Sequence, residues 1–104
     1  VEGLAAHARR IPARLVTREE GCLVHEAAHW DRIESVVRAE AAALHAFAAK
    51  HESVYLNEHS MDAARLAAGS VIQLAEAIMT GTVRNGLAIV RPPGHHAEVS
   101  ATWK

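Results

Sequence analysis

Two stretches of the chain repeat apolar residues at helical spacing. Ile33, Val36, Val37, Ala41, Leu44 and Phe47 or Ala48 share one side of a helix expected from about His29 to Lys50. Ala64, Ala68, Val71, Ile72, Ala75, Ile78 and Met79 do the same in a second helix, with Ser60 as its N-cap and Gly81 at C′. A shorter helical start is marked by Thr17-Arg18-Glu19-Glu20, a capping box in which the Thr17 hydroxyl and the Glu20 carboxylate each satisfy a free amide. Gly21 weakens that helix, and a break is expected between His25 and Ala28. Leu87-Ala88-Ile89-Val90 follows another rule: four apolar residues, two of them β-branched, read as a short buried strand. Pro92 and Pro93 end it, because neither can donate to a ladder. Residues 1–14 lack periodicity and read as a connector with a short strand near Ala8 to Ile11. Residues 51–57 read as an irregular or extended crossing, and 82–86 as the return to the strand.

These elements do not close on themselves. One four-residue strand cannot make a sheet, and both helices carry stripes that need a partner surface. The pattern describes a piece of a larger α/β fold, mainly helical with one or two strands. At 104 residues the chain is at most one small domain. Apolar residues make up 50%, but aromatics only 4%, so alanine supplies much of the apolar fraction and burial per residue is modest. With 11 basic against 12 acidic residues and no basic patch, nucleic acid is not expected as a direct partner. Cys22 is the single cysteine, so no intrachain disulfide can form, and an intracellular location fits. No apolar run is long enough to span a bilayer and no signal-peptide pattern is present, so no membrane association is expected.

The candidate chemistry sits just beyond the strand. Gly94 relieves the backbone, and His95 and His96 follow on a loop leaving the carboxyl end of a strand, where ligands bind in open α/β sheets. Neighbouring side chains in an extended segment diverge, so the two imidazoles reach different atoms of one substrate rather than gripping one metal. An imidazole titrates near neutral pH, which suits proton transfer.

Arg91-Pro92-Pro93-Gly94-His95-His96-Ala97-Glu98 resembles the signature of the zinc-dependent histone deacetylases, in particular their class II branch. The resemblance extends upstream through Asn85-Gly86, the Ala64 to Gly69 segment, Ser53-Val54-Tyr55-Leu56 and Leu23-Val24-His25 to Arg10-Ile11-Pro12-Ala13-Arg14. It implies the three-layer α/β arginase-deacetylase fold, with residues 1–98 as the N-terminal part of the catalytic domain. In that family a zinc ion activates water for attack on an N-acetyl-lysine carbonyl of a histone or other protein. The resemblance implies His96 as general base, His95 as its electrostatic or acid partner, Gly94 lining the acyl-lysine tunnel, and Ser53 accepting a hydrogen bond from the substrate backbone. A nuclear or cytoplasmic location goes with it.

The departures are as informative. The family holds zinc through an Asp-x-His pair and a second Asp downstream of the tandem histidines. Here the only aspartates are Asp31 and Asp62, neither followed by His two positions on, and the only tyrosine is Tyr55. Glu52 replaces the family's usual aspartate beside Ser53. Residues 99–104 diverge from the family, as in an altered splice or gene-model artefact, and the chain starts without methionine, as though earlier sequence were missing. The chain alone is therefore expected to bind no zinc and to be inactive. A competing motif, His25-Glu26-Ala27-Ala28-His29, matches H-E-x-x-H, in which His25 and His29 on one helical face would bind zinc with Glu26 as general base of a small metalloprotease. A third reading is a non-catalytic fragment that docks on a protein partner, or on itself, through its exposed apolar helix faces.

Overall fold

The computed structural model describes residues 3–50, 55–95 and 97–99. Among them are five helices: α1 (Leu4–His7), α2 (Arg18–Gly21), α3 (Ala27–Val37), α4 (Ala41–Ala48) and α5 (Ser60–Met79). No strand is present among the described residues. The strand expected near Ala8 to Ile11 is irregular chain that follows the single turn of α1.

The capping box forms as expected. Glu20 N–H donates to Thr17 Oγ1 at 3.2 Å, and Thr17 N–H donates to the Glu20 carboxylate at 2.8 Å. Arg14 clasps the same carboxylate with two nitrogens, at 2.8 and 2.6 Å. The Arg14 guanidinium and the Thr17 amide hold the Glu20 carboxyl down at about 2.

The long helix expected from His29 to Lys50 is two helices, α3 and α4, separated at Arg38 to Glu40. All three linking residues are exposed and bury nothing that would hold a straight continuation, while α4 packs against α3. Ser60 begins α5 but does not cap it. His59 is the N-cap residue, and the Ser60 hydroxyl instead accepts from Asn57 N–H at 2.9 Å. At the other end Gly81 stands at C′ with φ +73°, a conformation that suits glycine.

The core gathers where 14–16 crosses α5 and α3 packs alongside. Val16, Trp30, Val37, Leu44, Leu56 and Ala67 are buried. Val16 is pinned to α5 at both backbone poles: its N–H donates to the Arg65 carbonyl at 3.0 Å, and Arg65 Nε–H donates to its carbonyl at 3.1 Å. Two glycines permit the close packing. A Cβ at Gly69 would overlap the Arg14 carbonyl, and one at Gly21 would overlap the Trp30 ring.

The α5 stripe, expected to need a partner surface, and 87–90, read as a buried strand, are both open. The expected α5 stripe leaves Ala68 and Ala75 exposed, Val71 46% exposed and Met79 85% exposed. Residues 87–90 form no ladder, and Leu87 and Ile89 are 82% and 89% exposed. The physical reason is common to both: among the described residues there is no second strand to pair with 87–90, and α3 and 14–16 cover a different side of α5. The whole chain exposes 7905 Å², whereas a compact monomer of this length exposes about 5,700 Å². Its radius of gyration is 15.9 Å, against about 13 Å for a compact domain. Among the described residues no helix is long and apolar enough to cross a membrane.

Candidate functional site

After Gly81 the chain runs back along α5. Val83 N–H donates to the Ala77 carbonyl at 3.1 Å, and Gly86 lies so close to Leu74 that a Cβ there would overlap that side chain. Ala88 and Val90 are half-buried and Leu87 and Ile89 exposed, the period-two alternation of an extended segment with one face on the protein. The segment ends at Arg91, Pro92 and Pro93, and Gly94 takes φ +75°. Ala97 N–H then donates to the Gly94 carbonyl at 2.9 Å, closing a turn that holds His95.

His95 stands exposed in that turn. His96 and Ser53 lie outside the described residues, as does the tail at 100–104. The far side of the loop is anchored: Glu26 N–H donates to the Val99 carbonyl at 3.0 Å, and His25 Nδ1 lies 3.4 Å from the same oxygen. This tether between the histidine loop and the turn before α3 had no signal in the sequence, because its acceptor is a main-chain carbonyl 74 residues away.

The H-E-x-x-H segment does not lie on one helix. Glu26 is the N-cap residue of α3, so His25 belongs to the preceding turn. The two rings are nevertheless neighbours, with centroids 5.4 Å apart. His29 is buried at 5% exposure, and Arg32 Nη2 lies 3.0 Å from its Nδ1. A guanidinium only donates, so Nδ1 accepts and the neutral ring carries its proton on Nε2. That leaves no lone pair for a metal unless the Arg32 bond breaks, and a cation already occupies the approach. Burial, the Arg32 charge and His25 together push the His29 pKa down. The arrangement suits a packed polar ring rather than a ligand.

The described residues contain no group of three or more His, Cys, Asp or Glu placed to hold a metal ion. Asp31, a candidate on residue type alone, is taken up by Arg18 through two bonds of 2.9 Å, which lower its pKa. A shallow cleft of about 180 Å³ lies between α3 and the start of α5, lined by residues including Glu34, Arg38, Asp62 and Arg65, and it contains none of the candidate histidines.

With these features in place, the comparison with known proteins is direct. Residues 1–102 match the histone deacetylase domain, and the chain belongs to that family. It is 44% identical over 92 residues to histone deacetylase HDA1 of Saccharomyces cerevisiae, covering 88% of this chain and 13% of that protein. It is 37% identical over 99 residues to polyamine deacetylase HDAC10 of Danio rerio, covering 95% of this chain and 15% of that protein. The crystal structure of an HDA15 HD domain superposes with a TM-score of 0.77 and 38% identity, over 92% of this chain and 25% of that chain. The chain therefore spans about a seventh of the length of these curated relatives and a quarter of a solved deacetylase domain.

Proposed function

We propose that the chain is the proton-handling portion of a class II-like lysine deacetylase catalytic domain. The observation that carries this is the loop itself. An Arg-Pro-Pro-Gly-His-His string, in a chain belonging to the deacetylase family, leaves an extended segment and turns at a positive-φ glycine beneath an exposed His95. In this reading His96 takes the proton of the attacking water and passes one to the departing amine. His95 stands beside it as electrostatic partner, and Gly94 keeps the acyl-lysine passage clear of a side chain. Ser53 accepts from the substrate backbone.

Zinc is the family's metal, but the residues described here do not fit a zinc site, so no step is assigned to it in this chain. In this reading the metal ligands and the carbonyl-polarising group are not among the described residues, and the chain is expected not to turn over by itself. The substrate class in this reading is an N-acetyl-lysine of a histone or other protein, on the likeness of 91–98 to the class II histone deacetylases; the relatives include both histone and polyamine deacetylases. A nuclear or cytoplasmic location follows from that substrate.

The test is a chimera in which residues 1–102 replace the matching segment of the yeast HDA1 protein, assayed on an acetyl-lysine peptide and on an N-acetylated polyamine. Peptide turnover is expected, falling by about 10²–10⁴-fold in His96→Ala, the usual worth of a general base. Equal turnover with and without His96 would sink the assignment, and preference for the polyamine would move the substrate class. Zinc-dependent turnover by the isolated chain, abolished by His96→Ala, would refute its inactivity alone.

A further inference from the structure

A turn closed by its own backbone can swing as one piece. The Ala97 N–H bond to the Gly94 carbonyl, at 2.9 Å, shapes the loop around His95 but does not set where that loop stands. Position comes from contacts with distant parts of the chain, and one of them is at Val99, three residues beyond His96. The Val99 carbonyl accepts from Glu26 N–H at 3.0 Å and lies 3.4 Å from His25 Nδ1. A carbonyl oxygen only accepts, so His25 meets it through an Nδ1–H. Both donors sit in a well-held place. His25 N–H donates to the Gly21 carbonyl at 3.0 Å, and the Glu26 carbonyl accepts from the His29 and Trp30 amides at 2.9 and 3.1 Å. The His25 ring lies beside that of His29, which is buried and fixed by Arg32 Nη2 at 3.0 Å on its Nδ1. As the N-cap residue of α3, Glu26 has an amide with no intrahelical acceptor, so its N–H serves the loop alone.

We infer that His25, together with the Glu26 amide, is a positioning residue for the histidine loop: by holding the Val99 carbonyl it sets where His95 and His96 stand, without itself touching substrate. This rests on the proposed function above, in which those two imidazoles handle the proton. The pair His25-Glu26 is thereby accounted for without a metal, since the segment offers N–H donors to a carbonyl rather than lone pairs to a cation. The Glu26 side chain takes no part in the tether, which is made by its main-chain amide. Proton transfer is sensitive to placement, and a displacement of about 1 Å costs on the order of 100-fold in rate. A loop released at its downstream end therefore loses turnover rather than substrate affinity.

The experiment substitutes His25 in the HDA1 chimera and measures kcat and KM on the acetyl-lysine peptide, with circular dichroism and melting temperature alongside. Asparagine carries an N–H donor where Nδ1 stands, and glutamine carries one where Nε2 stands, so the two differ in reach and not in polarity. His25→Asn should keep kcat within about threefold of the parent, whereas His25→Gln and His25→Ala should lower it by about 10–100-fold with KM within about twofold. A packing role alone would give the asparagine and glutamine variants the same kcat, and that comparison decides even where His25→Ala does not fold. Equal kcat in those two variants, or a loss carried by KM, would overturn the inference. In the full chain by itself, the Glu26 amide should exchange at least about tenfold more slowly than in an unstructured peptide, and faster again in His25→Ala. Exchange at the unstructured rate in the parent would overturn the tether. A chimera that needs His96 but treats asparagine and glutamine at position 25 alike would overturn this inference alone. One that is indifferent to His96 would overturn the proposed function and this inference with it.

Discussion

Replacing Gly69 with alanine should destabilise the chain, against the usual trend. In a helix interior that substitution ordinarily stabilises by about 1 kcal/mol, because glycine loses more backbone freedom on folding. Here the new Cβ would overlap the Arg14 carbonyl and come within 2.8 Å of Val16 N. Both are main-chain atoms, so no rotamer change relieves the contact. The crossing segment is also held in place by Val16 N–H on the Arg65 carbonyl and Arg65 Nε–H on the Val16 carbonyl, at 3.0 and 3.1 Å. Lifting it away combines an overpacking cost of about 1–3 kcal/mol with weakening of two hydrogen bonds worth about 1 kcal/mol each. After subtracting the propensity gain, the net loss is about 2 kcal/mol, or a fall of about 10 °C in melting temperature for a domain of this size. Urea and thermal unfolding followed by circular dichroism read it directly. A Gly69→Ala chain as stable as the parent, or more so, would show that 14–16 does not cross α5 at this point.

The Glu20 carboxyl lies at about 2, below its ordinary 4.5, so its contribution is present above the ordinary value and is lost as pH falls from 4.5 toward 2. The urea midpoint should drop across that window, and Glu20→Gln should flatten the drop; an equally steep drop in the variant would contradict the clasp by Arg14. His29 is shifted the other way in charge terms: its folded pKa is lowered, so the unfolded chain binds the proton first. Stability should therefore be full above the ordinary histidine value of 6.5 and decline as pH falls below it, and His29→Gln should remove that slope. Added zinc should not raise the melting temperature of the isolated chain, since His29 Nδ1 already accepts from Arg32; a rise lost in both His25→Ala and His29→Ala would revive the metal reading.

What could be read from the sequence was whatever local chemistry determines. The capping box at Thr17 and Glu20 and the C′ glycine at 81 are satisfied within a few residues of themselves, and both stand as expected. The break between α3 and α4 was invisible because Ala41 and Leu44 continue the stripe of Ile33, Val36 and Val37 in phase, so periodicity runs straight through it. The apolar stripe of α5 was expected to meet a partner surface; Val71 and Met79 are open, and Ala67 and Gly69 are buried instead. Which side of a helix is covered depends on what else is present, and here the coverage comes from 14–16 and α3. Leu87 to Val90 carries strand composition without a ladder for the same reason, since pairing is a property of two segments. At the candidate site the histidine pair was legible as a motif, whereas the Val99 tether and the Arg32 bond to His29 depend on the folded chain.

We propose that the chain supplies acid-base imidazoles and that the metal ligands lie on other residues. The most direct test is to mix the purified chain with the rest of an HD domain, neither active by itself, and follow release of acetate from an acetyl-lysine peptide. Turnover that appears only on mixing, and vanishes with His96→Ala in this chain, is the predicted result. Full turnover by the partner without this chain, or turnover on mixing that is indifferent to His96, would contradict it.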